Sequence, residues 1–285
     1  MATFPMNTPA NSSEVIDEVW AKEILENRRN RLVMEQLVNH DYEGQIKNHG
    51  DTVHIISLPD LVAQDIVPGT EMTVTPVDPS EQLLVIDQYK VVPAEIQDML
   101  MKQSTYDLRR PFTEKIGHAL ADAIDKFLLS RAVTGADVAN VMTPVAKLTK
   151  QVLIDAHAKL DIKNVPTEGR ALVINGVGKA DLRSEPDFTW YDRTGESGLV
   201  KSAGFVGNIY DTPVYFTNQI TKTDTNANWA FVLLHRDALT AAVQIEPEVE
   251  TERRALAKST IIAGSTLFGG KVIRPDHIVV IKRTV

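Results

Sequence analysis

Four groups of residues have types and spacings that chemistry could use. Asn175-Gly-Val-Gly-Lys-Ala follows an apolar run and invites a phosphate-loop reading, in which backbone amides would cradle an anion. A phosphate loop also needs Gly five residues before Gly178, where Val173 stands, and Ser or Thr after Lys179, where Ala180 stands. Asp181 occupies the place of the third glycine of a dinucleotide fingerprint. The segment therefore reads as a tight turn into a short helix. Asp122 and Asp125 lie three apart on a helical run and would share a face, as paired acid/base carboxylates must, but Lys126 and Arg131 make ordinary surface ion pairs the simpler reading. The seven histidines (His40, His49, His54, His118, His157, His235, His277) form no pair four apart and no His-Glu-x-x-His, so no metal pattern is assigned. Gly195-Glu-Ser-Gly has the wrong spacing for a nucleophile elbow. Trp190 and Tyr191 sit in a glycine-flanked loop without the interleaved basic strip that single-strand stacking requires. No catalytic, cofactor-binding or metal residue is assigned.

The elements that would position these residues run in a definite order. Residues 13–40 read as a helical arm, with Ser12 or Ser13 as cap and Val15, Val19, Ile24 and Leu25 as a partial apolar stripe. Residues 50–92 read as two extended runs, Gly50-Asp-Thr-Val-His-Ile-Ile-Ser-Leu and Leu83-Leu-Val-Ile-Asp-Gln-Tyr-Lys-Val-Val, joined through a tip marked by Pro59, Pro68, Gly69, Pro76 and Pro79. Such a hairpin offers no core of its own and must lie against something, most economically another copy of the chain. Residues 111–133 form the strongest helix, because Phe112, Ile116, Leu120, Ile124 and Leu128 recur every four residues. At about 1.5 Å per residue it is a rod of roughly 35 Å.

A second helix is expected over 150–160 behind Thr149, then a short buried strand over 170–175 and a helical turn over 179–184. Residues 187–208 are loop-like, and strands are expected over 212–217, 229–234, 241–249, 260–263, 271–273 and 278–281.

Composition limits the class. The 285 residues are 43% hydrophobic and 24% charged, as in a soluble globular protein. The net charge of -8 argues against a general nucleic-acid-coating surface. Cysteine is absent, no run reaches the roughly 20 apolar residues that span a bilayer, and the start lacks the features of a signal peptide. Asn11-Ser-Ser is then a chance glycosylation sequon. Charge is uneven. Asp51, Asp60, Asp65, Glu71, Asp78, Glu81, Asp87 and Glu95 face one Lys90, whereas Arg253, Arg254, Lys258, Lys271, Arg274, Lys282 and Arg283 face one Asp276. Opposite signs in one chain suit pairing between subunits.

In that order the chain resembles the major capsid proteins of tailed bacteriophages, with the Hong Kong phage-type shell fold. The resemblance covers nearly the whole chain. It is carried by Gly50-Asp-Thr-Val-His-Ile, by Ile86-Asp-Gln, and by Leu120-Ala-Asp-Ala-Ile-Asp-Lys-Phe-Leu-Leu. Gly204-Phe-Val-Gly-Asn-Ile-Tyr-Asp-Thr-Pro-Val-Tyr-Phe-Thr-Asn and Phe268-Gly-Gly-Lys-Val-Ile-Arg-Pro-Asp-His-Ile-Val-Val-Ile complete it.

The resemblance implies an α+β capsid fold with an N-terminal arm (1–49), an extended β-hairpin loop (50–92), a peripheral domain (93–143 plus 242–285) carrying the long spine helix, and an axial α/β domain (144–241). It implies a structural, non-enzymatic protein whose pentamers and hexamers build an icosahedral shell around double-stranded DNA, without sequence-specific binding or membrane contact. A separate scaffolding protein, a portal protein and assembly in the host bacterial cytoplasm are expected, with the virion capsid as destination. The alternatives are an encapsulin-like nanocompartment shell and, more remotely, a soluble α+β enzyme using Asp122 or Asp192.

Overall fold

The computed structural model describes residues 33–42, 52–57, 65, 80–104, 109–185, 205–220 and 228–284. The hairpin tip with its prolines, most of the arm, and the loop carrying Trp190, Tyr191, Asp192 and Gly195 lie outside them.

The spine is helix α3, Arg109–Gly135, preceded by short helices α1, Met34–Leu37, and α2, Asp98–Gln103. Its 27 residues span about 40 Å. The four-residue repeat falls where the sequence placed it, with Ile116, Leu120, Ile124 and Leu128 all buried. The two halves of the rod serve different cores. Ile116 and Leu120 pack with Ile96 and Ile262, while Ile124, Leu128, Leu129 and Ala132 join the main core.

Three sheets surround it. A two-stranded sheet pairs β1, Thr52–Ser57, with β2, Ser80–Val85, antiparallel. A three-stranded sheet has the order β3, β9, β8, where β3 is Gln88–Gln97, β8 is Leu239–Arg254 and β9 is Ser259–Val272. A five-stranded sheet has the order β10, β7, β4, β6, β5. Its strands are β4, Arg170–Ile174, β5, Phe205–Ile209, β6, Thr212–Phe216, β7, Trp229–His235, and β10, Ile278–Arg283. β4 and β6 run parallel and the other pairs antiparallel. Helices α4, Lys150–Ile162, and α5, Gly176–Ser184, bring Leu153, Ala156, Leu160 and Leu182 into the same core. β4 is buried at all five positions, so it reads as a continuous apolar run rather than an alternation.

Several expectations change. The expected arm helix reduces, among the described residues, to α1. Residues 83–92 are two strands in two sheets, since the chain breaks pairing at Ile86 and Asp87. The boundary placed at 92/93 falls inside β3, whose Pro93 opposes Ala263. The short strands expected over 241–273 are one long hairpin, β8 and β9, with a tip at 255–258. Gly264, Gly269 and Gly270 looked like breaks because glycine weakens a strand pattern. At Gly269 it is needed for space, since an added Cβ would meet the Val85 carbonyl oxygen at 2.3 Å and Ile86 Cα at 2.9 Å. The hairpin's exit crosses β9 there, backbone on backbone. β5 was read as loop, and it pairs with β6 through a two-residue turn in which Tyr210 and Asp211 both have positive φ. The closing strand also corrects the expected division. β10 pairs with β7 and so belongs with the sheet of 144–241, not with the peripheral strands.

Candidate interaction surface

The glycine-rich turn is committed to packing. The Asn175 side-chain oxygen accepts hydrogen bonds from the amides of Val177 (3.0 Å) and Gly178 (3.1 Å), using donors an anion would need. A Cβ on Gly178 would meet Phe231 Cζ at 2.9 Å, so that glycine admits the ring of β7 rather than a phosphate. Lys179 Nζ lies 5.0 Å over the Phe216 ring. Asp181, buried, accepts from Arg283 Nε (3.1 Å) and from the Leu148 amide (3.1 Å), and so ties α5 to β10 and to the segment before α4. These placements make the segment a structural junction.

The two spine carboxylates have different environments. Asp122 is half-buried. Asp125 is 2% exposed, which corrects its reading as a surface ion pair. Its carboxylate accepts hydrogen bonds from the amides of Val33 (2.8 Å) and Met34 (3.0 Å), and so caps α1 from another element. Burial raises its pKa to about 6, against the lowering effect of the amides it accepts from and with a small further rise from Glu35. Arg131 lies over the Phe127 ring instead of pairing with it. The sequence signal for Asp125 was available, because it stands beside Ile124 and four residues before buried Leu129.

The histidines are dispersed in space as in sequence. His118 is exposed, and His157 packs edge-on to Tyr210 at 6.1 Å. His235 and His277 meet edge-on at 5.5 Å. Burial, then the positive charge of Arg274, pushes the His277 pKa down. Among the described residues no three His, Asp or Glu side chains come together as a metal site would require.

Charge pairing occurs partly inside the chain, which revises the subunit-to-subunit match read from the sequence. Arg253 forms a two-pronged pair with Asp98, Glu81 pairs with His54 across the hairpin, and Glu95 accepts from Ser259 Oγ. What remains outward on the hairpin is apolar. Val53, Ile55, Leu84 and Ile86 point inward onto Ala242, Leu267, Ile273 and Tyr42, so the base has a core after all, supplied by its own chain. The opposite face carries Ile56 (70% exposed), Leu83 (42%) and Val85 (43%), and Tyr89 and Val91 on β3 are exposed as well. The alternation has period two and both faces are apolar, as expected of a strand pair meant to be covered on both sides.

No protein-family model matches the chain, and no curated protein does. Its architecture, however, recurs among solved structures. It is similar to a structure from Mycobacterium phage Che8, at 28% identity and a TM-score of 0.75, with 98% of each chain covered. The capsid structure of the cyanophage P-SCSP1u aligns at 18% identity and a TM-score of 0.73, over 95% of this chain and 94% of the other. The capsid of Ralstonia phage GP4 aligns at 13% identity and a TM-score of 0.69, over 94% and 95%. Coverage on both sides is nearly complete, so the likeness is between whole subunits and not between shared modules. The chain is a major capsid protein of the tailed-bacteriophage type and builds the shell of a virion from copies of itself.

Proposed function

We propose that the subunit forms pentamers and hexamers that tile an icosahedral shell around double-stranded DNA. Assembly takes place in the host bacterial cytoplasm with a separate scaffolding protein and a portal protein. The subunit acts as a structural element without catalytic chemistry. The peripheral unit comprises 93–143 with β8 and β9, and the axial unit comprises 144–241 with β10. The net charge of -8 fits a wall that encloses DNA without gripping it.

The observation that carries this reading is the two-sided hairpin. Its inner face is anchored on the subunit's own β8 and β9, which fixes where the loop leaves. Its outer face is apolar and exposed, which suits a neighbouring subunit. Deleting residues 60–81 leaves a soluble subunit that builds no shell, in electron micrographs of protein expressed alone and with its neighbouring genes. Normal particles from that deletion would refute the role given to the loop.

A further inference from the structure

The buried Asp125 has a geometry that the shell reading does not use. Both carboxylate oxygens are engaged by backbone amides of one short segment, Val33 by Oδ2 and Met34 by Oδ1. That segment is also held by packing, with Val33, Met34 and Val38 buried against the main core, and by Asn39, whose amide donates to the Leu239 carbonyl while its own carbonyl accepts from Ala241. Segment 33–42 is therefore a separate piece of chain docked on the spine helix and on the start of β8. The one ionisable group at the joint is a carboxyl that docking removes from water.

The charged neighbours are few. The arm segment contributes Glu35, whose negative charge opposes ionisation of Asp125, and His40, whose Nε2 bonds the Glu35 carbonyl oxygen (2.6 Å). The helix contributes Asp122, Lys126 and Arg131, the last lying over Phe127. Strand β9 contributes Lys271, and β3 contributes Lys90 and Glu95 farther along the helix. The first turns of β8 beside Asn39, from Leu239 to Val243, hold no charge. No described cation is bonded to the Asp125 carboxylate to offset its burial.

We infer that Asp125 is a proton-operated latch, whose protonation tightens the docking of segment 33–42 on the spine helix and whose ionisation loosens it. A carboxyl that takes up its proton more readily when docked makes docking stronger below that pKa and weaker above it. For a docked pKa of about 6 against an ordinary value of 3.8, docking strengthens about tenfold between pH 8 and pH 5. The inference stands on the clasp itself and is independent of the assembly reading.

Amide hydrogen exchange of the full chain tests it, with rates corrected for the chemical dependence of exchange on pH. Protection at Val33 and Met34 is expected to rise about tenfold from pH 8 to pH 5 in the wild type, while amides of β7 keep constant protection. In Asp125→Asn, which cannot ionise, the arm amides are expected to show the same protection at both pH values. Equal wild-type protection at both pH values overturns the latch. So does a pH dependence that survives in Asp125→Asn, which would place the proton elsewhere, or one that β7 shares.

Discussion

Replacing Gly269 by alanine tests the claim that the hairpin base is fixed by backbone crossing backbone. The new Cβ would lie 2.3 Å from the Val85 carbonyl oxygen, 2.9 Å from Ile86 Cα and 3.1 Å from the Val85 carbonyl carbon. An ordinary carbon-to-oxygen contact is about 3.3 Å, so one partner must retreat by about 1 Å. Neither is a flexible side-chain end. Leu84 and Ile86 are buried on either side of the contact, and Gln88 is already paired with Phe268 next to Gly269. Overpacking of this kind costs about 1–3 kcal/mol, and backbone on both sides puts Gly269→Ala at the upper end. Gly117 is the matched control, because nothing lies within 4 Å of its added Cβ and it sits inside α3. Gly117→Ala is expected to stabilise by about 0.5–1 kcal/mol through helix propensity. Urea unfolding of the unassembled subunits reads both signs, and electron microscopy reads whether the displaced hairpin still permits shells. A Gly269→Ala midpoint equal to the wild type, with normal particles, would refute the crossing argument.

Arg283→Ala strands the buried Asp181 carboxylate with the Leu148 amide, so a loss of about 3 kcal/mol is expected in urea unfolding; a change below about 1 kcal/mol would mean that the pair is already solvated. Arg253→Ala breaks an exposed pair with Asp98, and its midpoint in physiological salt is expected to match the wild type. Leu160→Ala empties a fully buried site of α4 and is expected to cost about 2–5 kcal/mol, read by the same assay. His277 is held below the ordinary imidazole value, so the folded state resists its protonation and stability falls as pH drops below about 6.5. His277→Gln is expected to flatten that fall between pH 7.5 and pH 5, and an unchanged slope in unfolding midpoints would reject the assignment.

Elements whose signal is local were legible in the sequence. The spine helix announced itself by Ile116, Leu120, Ile124 and Leu128, and β4, β7 and β10 by short apolar runs that a buried sheet allows on both faces. Elements defined by distant partners were not. β8 and β9 looked like fragments because exposed and buried positions alternate between small residues, and their register with β3 is set across more than a hundred residues. Asp125 carried no sign that its partners would be amides ninety residues upstream, since a carboxylate beside lysine usually faces water. The glycine-rich turn was rejected for its missing residues, and Asn175, Gly178 and Asp181 give the physical reason, because each already has a structural partner.

The exposed apolar residues of the hairpin and β3 bear on why such a shell can correct its own assembly. Full burial of one aliphatic or aromatic side chain contributes about 1.5–3 kcal/mol. Ile56, Leu83, Val85, Tyr89 and Val91 are already partly covered, so burying the rest yields about 1 kcal/mol each, or about 5 kcal/mol together. Bringing two subunits together costs about 4–15 kcal/mol of lost freedom, so this patch alone leaves a pair dissociated or short-lived. The internal pairing of Arg253, Arg283 and Glu81 removes part of the charge that would otherwise have locked a wrong neighbour in place. In a closed shell the freedom lost is shared among several contacts per subunit, and the sum becomes favourable only when most of them form together. A misplaced subunit makes too few contacts to stay. Strengthening the patch would then harm assembly, so Ile56→Phe is expected to raise the fraction of aberrant particles in micrographs while leaving the unfolding midpoint of the free subunit unchanged.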